Sequence, residues 1–118
     1  MAAILLVEDN ELLRSSLAQA LVLNGYEVLQ ASDGAEALGL LAHTTPGLVI
    51  TDMNMPGVGG LSLAGTLSTY PRFAHVPVLL ISGDPSAPVP PGDPFLAKPF
   101  SLETFLSVVR QLWDEAHN

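Results

Sequence analysis

The chain has 118 residues, 48% hydrophobic and 14% charged, and its twelve carboxylates against four basic side chains give a formal charge of −8. One domain of that size buries an adequate core, and the hydrophobic share argues against disorder. Arg14, Arg72, Lys98 and Arg110 are too few to build a phosphate-neutralising patch, so no direct nucleic-acid binding is expected. Cysteine is absent, which excludes disulfides and thiolate chemistry. No apolar run approaches the roughly 20 residues of a membrane span, and the N-terminus lacks the basic region of a signal peptide. A cytoplasmic location without membrane association is expected.

In chain order, Ile4 to Val7 is a continuous apolar run suited to a strand buried on both faces, ended by Glu8 and Asp9. Leu13, Leu17 and Leu21 then form one helical stripe, which Gly25 can end by adopting a left-handed conformation. "YEVLQA" predicts a second strand. "SDGAEALGLLAH" predicts a capped helix with Ala35, Leu38 and Leu41 on one face. "GLVIT" is a third strand, terminated by Asp52. "PGVGG" reads as a loop, and Leu61 to Thr69 fits a helix that Gly65 and two threonines weaken. "VPVLLIS" and "PFLA" complete the strands, and Ser101 caps a last helix whose Phe105, Val109 and Leu112 share a face.

Buried strands alternating with amphipathic helices predict an α/β fold, an open, doubly wound parallel sheet with ligands at the carboxyl ends of its strands. That edge is marked chemically: the strands end in Glu8 and Asp9, Asp52, Ser82 and Lys98. One segment departs from the alternation. Residues 83–94, "GDPSAPVPPGDP", hold five prolines where a fourth of five helices would stand, so that helix is expected to be short or replaced by a loop.

Three converging carboxylates either take up protons or bind a cation. Oxygen ligands without cysteine or suitably spaced histidines suit Mg²⁺, which is commonly completed by a phosphate. Phosphoryl transfer to an aspartate follows, with the only lysine, Lys98, as a movable point charge. His43, His75 and His117 lack ligand spacing and read as surface or loop residues, and Trp113 as a partly buried packing residue.

"ILLVEDN", "NGYEVLQASDGAEAL", "LVITDMNMPG", "VPVLLISG" and "FLAKPF", in this order, resemble the receiver domain of two-component response regulators over nearly the whole chain. The resemblance implies a flavodoxin-like five-stranded sheet of order 2-1-3-4-5 and a single receiver domain over residues 1–118. It makes Asp52 the phosphoacceptor, and Glu8 and Asp9 the acid pocket. Asp9, Asp52 and the backbone carbonyl of Asn54 become the Mg²⁺ ligands. Ser82 and Phe95 become the switch pair, and Lys98 the phosphate-contacting lysine before a cis proline bond. The implied partners are a histidine kinase or histidine phosphotransfer protein and an output protein or domain.

The domain is expected to accept and lose a phosphoryl group rather than to act as an enzyme, and "VEDN" leans toward a piece of a hybrid histidine kinase. Loss of the fourth helix is expected to alter the usual output dimer, and Asp84 and Asn54 to tune the phosphoryl lifetime. Two other readings stay open. One is a pseudo-receiver that binds partners without phosphorylation. The other is an aspartate-nucleophile phosphatase, against which Asn54 stands where a second aspartate would be needed.

Overall fold

The computed structural model describes residues 2–53, 60–83 and 94–117, with the backbone alone at 60–62. Five strands run in the order β1 (Ile4–Val7), β2 (Val28–Ala31), β3 (Leu48–Asp52), β4 (Val78–Ser82) and β5 (Phe95–Ala97). All four pairings are parallel, and the sheet order is β2-β1-β3-β4-β5. This is the flavodoxin-like order 2-1-3-4-5. Among the described residues there are four α-helices: α1 (Glu11–Leu23), α2 (Gly34–Leu41), α3 (Gly60–Thr69) and α4 (Leu102–His117). A 3-10 turn at Pro71–Phe73 follows α3. The expected replacement of a helix between β4 and β5 falls mostly on residues 84–93, and the "PGVGG" loop on 54–59; both lie outside the described residues.

Side chains alternate across the sheet, so each strand feeds two cores. Ile4, Leu6, Leu48, Ile50, Leu79 and Ile81 pack with Leu17 and Leu21 of α1 and Phe105 and Val109 of α4. Leu5, Val7 and Val49 pack on the other face against Ala37 and Leu41 of α2 and Leu63 and Leu67 of α3. Each fully buried leucine contributes roughly 1.5–3 kcal/mol, which explains why α3 forms despite its glycine and threonines.

The helix ends follow their residues. Asn10 accepts from the Leu13 N–H at 3.0 Å, Asp33 from Glu36 at 2.7 Å, and Ser101 from Thr104 at 3.0 Å, each filling an N-terminal donor. Gly25 closes the end of α1 at φ 91°, which a side chain rarely adopts.

One expectation needs correction. The buried face of α2 is Gly34, Ala37 and Leu41 with Leu38 packed against the same core, while Ala35 is exposed; of the expected stripe only Ala35 is misplaced, and small residues on either side leave the first turn's phase ambiguous. His117 is exposed, which fits the surface reading, and it ends α4, with its Nε2 3.1 Å from the Gly47 carbonyl oxygen and its ring against Trp113. His43 and His75 are exposed and Trp113 is half-buried, as the sequence suggests.

Candidate functional site

The carboxyl ends of β1, β3, β4 and β5 bring polar groups together. Asp52 is the last residue of β3 and only 5% exposed, and Glu8, one residue past β1, is 2% exposed. Lys98, one residue past β5, lies between them. Its Nζ is 2.7 Å from Asp52 Oδ2 and 2.9 Å from Glu8 Oε1. Asp9 is exposed beside this pair, and one carboxylate oxygen from each of Glu8, Asp9 and Asp52 lies within 4.8 Å of the others.

The turn from β1 into α1 holds Glu8 at every polar atom. Its N–H donates to the Ala31 carbonyl at 3.1 Å, tying the turn to β2. Its Oε2 accepts from the Asn10 N–H at 3.0 Å, and its carbonyl oxygen accepts from Arg14 at 2.9 Å. Burial pushes the Glu8 carboxyl above its ordinary range, against the opposing hydrogen bonds from Asn10 and Lys98. Burial alone would pull the Lys98 ammonium down, but its bonds to Asp52 and Glu8 prevail and its pKa is raised.

Ser82 ends β4 and is 1% exposed. Its carbonyl accepts from the Lys98 N–H at 2.8 Å, so the serine and lysine positions are linked through the backbone. Phe95 opens β5 opposite Leu80 and is half-buried. The Lys98–Pro99 bond is cis. Glu8, Asp9, Asp52 and Lys98 thus converge as the sequence suggests, with Ser82 on the neighbouring strand end. Asn54 lies outside the described residues.

Sequence reasoning passed over Asn10 and Arg14, which hold Glu8. A signal for each was present: Asn10 is a capping residue type directly before the first turn of α1, and Arg14 is a cation near a helix N-terminus, where the macrodipole disfavours it.

Three carboxylates gather here, two of them, Glu8 and Asp52, paired with the one ammonium, and the cluster offers oxygen donors only. Such a set fits a hard divalent cation such as Mg²⁺. Among the described residues, no helix is long and apolar enough to cross a membrane.

A sequence model of the response regulator receiver domain matches residues 4–110. Among curated proteins, the response regulator MprA of Mycobacterium sp. (strain KMS) is 37% identical over 115 residues, covering 92% of this chain and 49% of that protein. Response regulator protein FleR of Pseudomonas aeruginosa is 43% identical over 81 residues, 69% of this chain and 17% of FleR. The chain therefore spans half or less of the length of these relatives. Among solved structures, the receiver domain of the hybrid histidine kinase CckA is 37% identical, with a TM-score of 0.78 and coverage of 95% of this chain and 99% of that one. The response regulator TrrA of Thermotoga maritima, solved in complex with Mg(2+)-BeF, is 28% identical with a TM-score of 0.84, covering 95% and 99% of the two chains. Matched along nearly its whole length in sequence and in fold, the chain belongs to the response regulator receiver domain family of two-component signalling.

Proposed function

We propose that this chain is a phosphorylation switch in which Asp52 receives a phosphoryl group from a histidine kinase or histidine phosphotransfer protein. The observation that carries this reading is the placement of Lys98 between Asp52 and Glu8, at 2.7 and 2.9 Å, with Asp9 beside them. In the transfer, an Asp52 carboxylate oxygen forms a bond to phosphorus as the bond to the donor imidazole nitrogen breaks. The imidazole leaves with the electron pair and the product is an acyl phosphate. The strand end fixes the direction of the nucleophile, and burial of Asp52 and Glu8 strengthens each nearby charge interaction.

Glu8, Asp9 and Asp52 would hold Mg²⁺, together with the Asn54 carbonyl. When bound, the ion neutralises charge on the phosphoryl oxygens. Lys98 exchanges its bond to Asp52 for one to the new phosphoryl group, which brings about −1.5 to −2 charges and three strong acceptors. Ser82, tied to Lys98 through the backbone, donates its hydroxyl to the same group, and Phe95 on β5 moves with it. The change at β4 and β5 is read by an output protein or domain. Hydrolysis of the acyl phosphate by the domain itself resets the switch. A single receiver domain acting in the cytoplasm completes this reading; the family match and the sheet geometry support it.

The test is phosphate incorporation from acetyl phosphate with Mg²⁺, followed by intact mass, in wild type and Asp52→Asn. One hydroxylamine-labile phosphoryl group in wild type and none in the variant is expected. No incorporation in wild type, together with an amide spectrum unmoved by beryllofluoride, would overturn the reading in favour of a pseudo-receiver.

A further inference from the structure

Two of the chain's four cations grip the same residue, Glu8: Lys98 holds its carboxylate and Arg14 its main-chain carbonyl. The second contact is the less expected. Arg14 is the fourth residue of α1, where the helix macrodipole disfavours a positive charge. Helix stability therefore gives no reason for a cation at this place, whereas the bond to Glu8 does.

We propose that Arg14 is a positioning residue for the acid pocket, aiming Asp9 by fixing the peptide plane between Glu8 and Asp9. The proposal rests on the reading of that pocket as a divalent cation site. The Glu8 carbonyl and the Asp9 N–H belong to one planar unit, so holding the oxygen fixes the plane from which the Asp9 side chain departs. Asp9 needs such help. Glu8 and Asp52 are locked by burial and by Lys98, but Asp9 is the exposed member of the cluster. The Asn10 N–H on Glu8 Oε2 and the Arg14 N–H on the Asn10 carbonyl, at 3.0 and 2.9 Å, close the same turn from its other side. Arg14 thus reaches residues 8–10 through both its backbone and its side chain.

The sign of one measurement separates positioning from simple charge. Removing a positive charge beside a cation site strengthens cation binding by relieving repulsion, whereas removing a support of the ligand shell weakens it, typically by tenfold or more. The experiment is a titration with MgCl₂ followed by amide NMR in wild type, Arg14→Met and Arg14→Lys, with the metal-free spectra as reference. Arg14→Met is expected to weaken Mg²⁺ about tenfold and to move the Asp9 and Asn10 amides in the metal-free protein. Arg14→Lys, which keeps a charged donor, is expected to recover part of both. Unchanged or tighter Mg²⁺ in Arg14→Met overturns the proposal. Should wild type itself bind no Mg²⁺, the cation reading fails and the metal-free spectra still decide. Asp9 and Asn10 amides moved by Met and restored by Lys support positioning; amides unmoved by Met reject it.

Discussion

The two ends of the sheet close in opposite ways. At the carboxyl ends the buried groups are ionic or polar: Glu8, Asp52 and Ser82, with Lys98 between the two acids. At the amino ends the closure is aromatic. Tyr26, two residues before β2, meets Trp113 edge-on at 5.5 Å, and Trp113 lies against His117 at 4.1 Å. Gly47, just before β3, donates to the Ala3 carbonyl at 2.8 Å while Trp113 and His117 press on it. The ionic end is sensitive to pH, since its charges are only partly matched; the aromatic end depends on shape.

If the ends are separable, damage at the aromatic end should lower stability and spare the ionic site. Trp113→Ala is expected to lower the unfolding free energy by about 3 kcal/mol, at the low end for an aromatic truncation because the ring is half-buried. Urea unfolding by circular dichroism measures this, and Mg²⁺ affinity should stay at its wild-type value. Gly47→Ala sharpens the point. A Cβ there would stand 2.7 Å from two indole carbons and 2.8 Å from His117 Nε2, so overpacking by about 2 kcal/mol is expected, again without effect on the metal. Loss of Mg²⁺ binding in either variant would show that the ends are coupled.

At the ionic end, Lys98→Met leaves Glu8 and Asp52 facing each other without their ammonium, and a loss of about 2 kcal/mol at neutral pH is expected, below that for a fully buried pair because a quarter of the lysine side chain is exposed. This loss must depend on pH. The raised folded pKa of Lys98 means that its contribution is fully present below the unfolded value of 10.5 and disappears as pH rises through the folded one. Glu8 acts in the other direction. Its folded carboxyl already holds a proton above the ordinary 4.5 and should do so more firmly without Lys98, so acidification adds stability to the variant through this group. The difference between wild type and variant should be widest in the neutral to mildly alkaline range and narrow on both sides. A difference independent of pH would mean that Lys98 stabilises by packing its methylenes rather than by charge.

The ionic end was far more legible in the sequence than the aromatic one. Apolar runs that stop in Glu8 and Asp9, in Asp52 and in Ser82 announce strand ends, and a lone lysine in an acidic chain announces itself. Parallel topology then brings those ends to one edge without further information. The aromatic closure joins Gly47 to His117 across 70 positions, and nothing local to either residue signals the contact. Ala35 on the first turn of α2 was misplaced for a related reason: small residues at 34, 35 and 37 carry too little hydrophobic contrast to fix a helical phase there, whereas Leu38 and Leu41 do. Arg14 was readable only as an anomaly, a cation near the wrong end of a helix.

The smallest expected effects make the most discriminating pair. Asn10 and Asp33 are both N-caps, of α1 and α2, with cap bonds of 3.0 and 2.7 Å. Alanine at either should cost about 1 kcal/mol, because one helix-end donor loses its acceptor in each case. The two helices differ in what precedes the cap. The turn before α1 contains Glu8 and Asp9 and leans on the Asn10 N–H, whereas the turn before α2 leans on Glu36, whose Oε1 accepts from Ser32 at 3.1 Å, away from the acid cluster. Asn10→Ala keeps that backbone N–H but loses the side-chain cap on Leu13 that fixes its direction, so it should weaken Mg²⁺ severalfold in an amide NMR titration, and Asp33→Ala should leave it unchanged at matched loss of stability. Equal weakening by both would mean that Mg²⁺ binding follows global stability. Weakening by Asn10→Ala alone would show that the β1–α1 turn is tuned as part of the site.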